Sequence, residues 1–151
     1  MMMPATDDLH LFTAGAARRG FAIVAPELSQ VEPFASAPAG AFGAALMGQM
    51  ARGHHLIAAR CGRLEGYLGW GLADEAVATG YAEGRLVPRQ GELAEGDWVV
   101  VMIVHADSPA VLRAMIRELR ARYPGRRFAG LRRKPGLPER GVTGRSAGAP
   151  A

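Results

Sequence analysis

The chain has 151 residues and a mass of 16.0 kDa; 49% of the residues are hydrophobic and 21% charged, so wholesale disorder and collagen-like repetition are excluded. Its longest aliphatic run, Val99–Val104, is far short of the roughly 20 residues a membrane-spanning helix needs. The lone Cys61 cannot close an internal disulfide, and Met1–Asp8 holds two acids and no base, so neither a stapled scaffold nor a secretory leader is expected.

The net charge of +4 hides an asymmetry. Residues 1–111 carry seven arginines against twelve acids, a net of −5, whereas residues 112–151 carry eleven bases against Glu118 and Glu139, a net of +9. Only Lys134 among the bases is a lysine. Part of that bias can be genomic base composition, yet the planar guanidinium also suits bidentate contact with phosphate or carboxylate. Such an end predicts an acidic partner: nucleic acid, anionic lipid or an acidic protein surface.

In chain order, Phe21–Val24 reads as a short strand between Gly20 and Pro26, and Pro33 to Gly43 as a loop. Phe42–Met50 is an expected helix with Leu46, Met47 and Met50 on its apolar side. His55–Cys61, a turn at Gly62–Arg63, and Leu64–Leu72 form an expected hairpin. Asp74 then caps a helix extending to Gly84, with Glu75 in its first turn. Gly96–Asp97 precedes Trp98–Val104, whose continuous apolarity predicts a central strand covered on both faces.

Ser108 and Pro109 supply a helix start, and Val111, Leu112, Met115, Ile116 and Leu119 an apolar stripe running to about Tyr123. Pro124–Gly125 stops that helix and Arg126–Leu131 returns as a strand. The expected architecture is α+β, an N-acetyltransferase-like mixed sheet flanked by helices. It forms a single domain over residues 1–135, with a disordered C-terminal tail over 136–151.

His105 and Asp107 lie just past the best strand, where open sheets place ligands. An Asp-oriented His can act as a general base beside a helix N-terminus that can hold an oxyanion. The alternative is packing for His105 and helix initiation for Asp107. His54 and His55 precede a strand and should face opposite sides; they make a poor chelate, and no spacing completes a metal site. Trp70 and Trp98 read as core or groove-lining aromatics. Glycine-rich phosphate fingerprints are missing from the sequence. The candidate partner-binding residues are Arg113, Arg117 and Arg120 on one helical face, the corner Arg126–Arg127, and the cluster Arg132, Arg133 and Lys134. An ordinary solvated face is the plainer account of the helical set.

The stretch from Gly53 to about Pro135 resembles the RTX toxin-activating lysine acyltransferases. The resemblance rests on the hairpin with Trp70, on Glu95-Gly96-Asp97 before the central strand, on Ala106 after it, and on Leu119–Arg127 followed by Leu131-Arg132-Arg133. It implies a cytoplasmic enzyme, without a tightly bound cofactor, that moves a fatty acyl group from acyl carrier protein to lysines of a protein acceptor such as an RTX-type protoxin. No catalytic residue carries over: the family's Asp falls near Met102 or Ile103 and its His near Ala35. The acetyl-CoA loop of typical N-acetyltransferases is likewise replaced by His105-Ala106-Asp107-Ser108-Pro109. Two accounts stay open, an acyltransferase using His105 and Asp107 as a displaced pair, or a catalytically inactive relative that binds an acidic partner. A homodimer is compatible with either. Nucleic-acid binding has the charge but no reading motif and no aromatic–basic interleaving in sequence.

Overall fold

The computed structural model describes residues 8–132 and 140–146. The chain runs β1 (His10–Phe12), α1 (Ala17–Leu28), α2 (Ala39–Arg52), β2 (His55–Arg60), β3 (Arg63–Ala73), α3 (Glu75–Ala82), β4 (Trp98–Ala106), α4 (Pro109–Arg122), β5 (Arg127–Arg132) and β6 (Arg140–Arg145). The strands form one mixed six-stranded sheet in the order β1-β2-β3-β4-β5-β6. Pairing is antiparallel at β1–β2, β2–β3 and β5–β6 and parallel at β4–β5. With four flanking helices this is an α+β architecture, consistent with an N-acetyltransferase-like fold. Among the described residues no helix is long and apolar enough to cross a membrane.

The described residues fall into two compact units, one within 8–69 and 103–116, the other within 70–102, 117–132 and 140–146. In the first, α1 buries Gly20, Val24 and Leu28, a stripe at every fourth residue. The expected strand at Phe21–Val24 is therefore a helix. Four apolar residues do not separate the two periodicities, and burial on one side of a twelve-residue span decided it. The loop expected up to Gly43 ends earlier, since α2 starts at Ala39 and buries Leu46, Gln49 and Met50. The hairpin forms, but the Arg60↔Arg63 pair puts its turn at Cys61–Gly62, one residue ahead of expectation. Both turn residues have positive φ, 51° and 74°, as a tight two-residue hairpin turn requires.

The first unit also holds polar groups inside. The Tyr67 hydroxyl donates to Gln49 Oε1 at 2.8 Å, and His55 Nε2 accepts from the Ala14 N–H at 2.9 Å. His55 is fully buried, with Nδ1 3.4 Å from the Gln49 carbonyl oxygen. His54 is half-buried, so the two histidines do have different surroundings. Burial, then the Arg52 charge, then His55 lower the His54 pKa to about 4 from its ordinary 6.5. Burial pushes the Tyr67 phenol upward, so its O–H persists as a donor.

In the second unit, the Asp74 carboxylate accepts from the Val77 N–H at 2.9 Å, a cap contributing about 1 kcal/mol. The helix it starts packs Val77, Ala78, Tyr81 and Ala82 against Ala73, Trp98, Val100 and Ala129. Gly96 has φ 151°, and a Cβ there would run into the Ala73 backbone, so only glycine lets the chain turn into β4 at this point. Trp70 is fully buried and its indole N–H donates to the Tyr123 hydroxyl at 3.0 Å.

Two further expectations change. The β4 strand is covered over Trp98–Val100, but Val104 is 38% exposed, so double-sided burial holds only for its first half. On α4, Val111, Met115 and Leu119 are buried as a stripe while Leu112 is 37% exposed. The tail expected to be disordered from residue 136 contains β6, which pairs with β5 from Arg127↔Arg145 to Arg132↔Arg140. Its Arg-Gly-Val-Thr-Gly-Arg sequence has no hydrophobic period, and β pairing supplies the order instead.

Candidate functional site

His105 and Asp107 come together at the end of β4, with His105 Nε2 3.1 Å from Asp107 Oδ1. In the tautomer with its proton on Nε2, the ring donates to the carboxylate and Nδ1 is the accepting nitrogen. The side chains are 21% and 40% exposed, open to solvent. The backbone beneath them is fixed from two directions. The Asp107 N–H donates to the Glu65 carbonyl oxygen at 2.8 Å, tying this end to β3. Gly66 faces the same point, where a Cβ would sit 2.9 Å from the His105 carbonyl oxygen and from Val111 and Met115 side-chain atoms. Only a residue without a side chain lets the strands approach this closely there.

Ser108 Oγ accepts from the Val111 N–H at 3.2 Å, and α4 starts at Pro109, as expected from the sequence. Proline has no N–H and Val111 is already capped, so Ala110 is the first-turn N–H left for an anion beside the pair. The β4–β5 register ends at Val101↔Gly130, and β4 continues past it through the residues that lead to His105.

The arginines divide by place. Arg113, in the first unit, is exposed on α4, as are Arg117 and Arg120 in the second. Arg126 and Arg127 are drawn into a cleft of about 370 Å³, together with Glu75, Asp97, Trp98 and Arg145. Arg126 Nη1 donates to the Gly96 carbonyl oxygen at 2.7 Å, and its guanidinium lies 5.9 Å from the Tyr123 ring centre. Arg127 lies 5.5 Å over the Trp98 ring, with Nη1 3.7 Å from Glu75 Oε1. Arg122 stands 5.9 Å over Trp70. Arg132 ends β5, whereas Arg133 and Lys134 lie outside the described residues.

Sequence reasoning missed Arg145, Glu75 and Asp97 as neighbours of Arg126 and Arg127. It also found no alternation of aromatic and basic residues, yet the fold stacks three arginines on Trp70, Trp98 and Tyr123. Arg126 is close to Tyr123 in sequence, but Arg127 and Trp98 are 29 positions apart and Arg122 and Trp70 are 52, so no local spacing reveals those two pairs. Among the described residues no group of three His, Cys, Asp or Glu side chains converges to hold a metal ion. No protein-family model matches the chain, and no curated protein matches it significantly.

Proposed function

We propose that the protein is an acyltransferase of the toxin-activating type, moving a fatty acyl group from acyl carrier protein to lysines of a partner protein in the cytoplasm. The observation that carries this reading is the His105–Asp107 contact at the end of a central strand in an α+β mixed sheet. In the reaction, His105 Nδ1 takes a proton from the acceptor lysine, with Asp107 orienting the ring and stabilising its charge. The free amine attacks the thioester carbonyl carbon, the C–S bond breaks, the carrier thiolate leaves with a proton, and an amide remains. In this reading the Ala110 N–H, in the first turn of α4, is the donor offered to the oxyanion. The donor enters as acyl-carrier substrate, and within the second unit Arg117, Arg120 and the Arg126–Arg127 corner carry charge opposite to its acidic surface. The resemblance of Gly53 to Pro135 to the toxin-activating family supports the same reading.

The test is acyl transfer from acyl-loaded carrier to candidate acceptors, including a glycine- and aspartate-rich repeat protein, followed by intact mass spectrometry. His105→Ala should lower the rate by about 10²–10⁴-fold, and Asp107→Asn should lower it less, with carrier binding retained. Transfer unaffected by either variant rejects the pair as the base.

The second reading, a catalytically inactive relative acting as a binding module, is favoured by Met102 and Ile103 standing where the family has its Asp. It predicts no transfer, an intact phenotype in both variants, and loss of partner binding on charge reversal at Arg126 and Arg127.

A further inference from the structure

The cleft of the second unit has a composition that the acyl-transfer chemistry does not require. Three arginines line it, two held by backbone carbonyls and one by an aromatic ring. Arg126 is held by the Gly96 carbonyl at 2.7 Å, Arg145 by the Gly125 carbonyl at 3.0 Å, and Arg127 by the Trp98 ring. A guanidinium carries five N–H donors in a rigid fork, so holding one edge leaves others directed outward without loosening the group. Glu75 and Asp97 line the same space and only accept hydrogen bonds. Three cations beside two carboxylates suit a ligand that is anionic at one end and offers a hydroxyl or amide N–H at the other.

The geometry of the backbone supports a built site rather than a chance meeting of surface charges. A Cβ at Gly96 would meet the Ala73 backbone, so this close approach requires glycine, and the Gly96 carbonyl is the one that holds Arg126. Arg145 arrives opposite Arg127 through the β5–β6 register, which pairs those two residues directly. Like charges opposite one another on paired strands repel, a cost that an anion between them would offset. About 370 Å³ accommodates a small ester or the end of a larger one, not a folded domain.

We infer that the cleft formed by Arg126, Arg127, Arg145, Glu75 and Asp97 binds a phosphate ester that carries a neighbouring hydroxyl or amide donor. The arginines take the phosphate oxygens by charge-assisted hydrogen bonds, and the carboxylates accept from the adjoining donor. Within the function proposed above, the source is the phosphopantetheine arm of the acyl carrier protein, whose phosphodiester adjoins a hydroxyl. That identification rests on the acyl-transfer reading, whereas the binding chemistry does not.

The experiment is calorimetric titration of the full-length protein at low salt with pantetheine 4′-phosphate, inorganic phosphate and unphosphorylated pantetheine. Pantetheine 4′-phosphate should bind tightest, inorganic phosphate more weakly, and pantetheine should give no saturable heat. Arg145→Ala, at an exposed strand end, should weaken the phosphate ester about tenfold or more, and Asp97→Asn should narrow its advantage over inorganic phosphate. Arg145→Lys, which keeps the charge and the fold, should recover only part of the loss.

Equal binding of pantetheine and its phosphate, or no effect of Arg145→Ala, overturns the inference. So does an oligonucleotide that displaces the ester with affinity rising with its length, which assigns the stacked arginines to nucleic acid. Phosphate-ester binding without acyl transfer sinks the function and keeps the site. Acyl transfer with an unchanged KM for the carrier in Arg145→Ala does the reverse.

Discussion

The two units handle polar groups in opposite ways. In the first, Gln49, His55 and Tyr67 are buried and satisfied by one another or by backbone. In the second, the prominent polar groups are guanidiniums at the surface, laid over aromatic rings and tied to carbonyl oxygens. A buried network makes position depend on every member, because an orphaned donor or acceptor inside carries its full desolvation cost. A stacked guanidinium keeps its charge in water and remains available to an incoming anion. The first arrangement fixes an interior; the second leaves a charged rim around the cleft of its own unit.

The contrast can be tested from either side. Trp70, fully buried in the second unit, supports the ring on which that rim is built, since its N–H holds the Tyr123 hydroxyl at 3.0 Å. Trp70→Ala should cost about 3–5 kcal/mol of stability in urea denaturation. In the first unit, Tyr67→Phe should cost about 1–3 kcal/mol because Gln49 Oε1 loses its buried donor. Adding Gln49→Met should recover much of that loss, and an additive double variant would argue against a coupled pair.

His54 carries a pH signature. Its folded pKa of about 4 lies below the ordinary 6.5, so the unfolded chain takes up the proton first as the pH falls. The stability that depends on neutral His54 is therefore complete above pH 6.5 and is lost between 6.5 and about 4. His54→Gln should flatten the denaturation midpoint across that window; an unchanged slope would place the acid sensitivity elsewhere. The smallest effect is expected at the rim itself. Arg127→Ala removes a contact with Trp98 and a 3.7 Å approach to an exposed Glu75, and should cost under about 1 kcal/mol in the same urea assay. A larger loss would give Arg127 a structural role within its own unit.

Local chemistry was legible where a signal and its consequence lie within one turn. Asp74 with Val77 and Ser108 with Val111 are three residues apart, and both caps formed as expected. The hairpin was visible from its two apolar runs, but its turn was displaced by one residue because pairing of Arg60 with Arg63 sets the register. Phe21–Val24 was too short to reveal its period, and β6 had none to reveal. His105 and Asp107 could be paired on paper because one residue separates them, whereas Arg145 could not be connected to Arg126 and Arg127.

From the amino-acid order alone came an α+β chain with its arginines gathered toward the C-terminal end, helices capped at Asp74 and Ser108, and a His105–Asp107 pair at the end of a strand. Those properties depend on composition, on periodicity and on hydrogen bonds between near neighbours. Folding added the buried partnership of Gln49 with Tyr67, the close approach at Gly66, and the stacking of Arg127 on Trp98. It also turned part of the arginine-rich end into a cleft containing two carboxylates. Each of these joins segments remote in sequence, and strand pairing and core packing are the forces that bring such segments together.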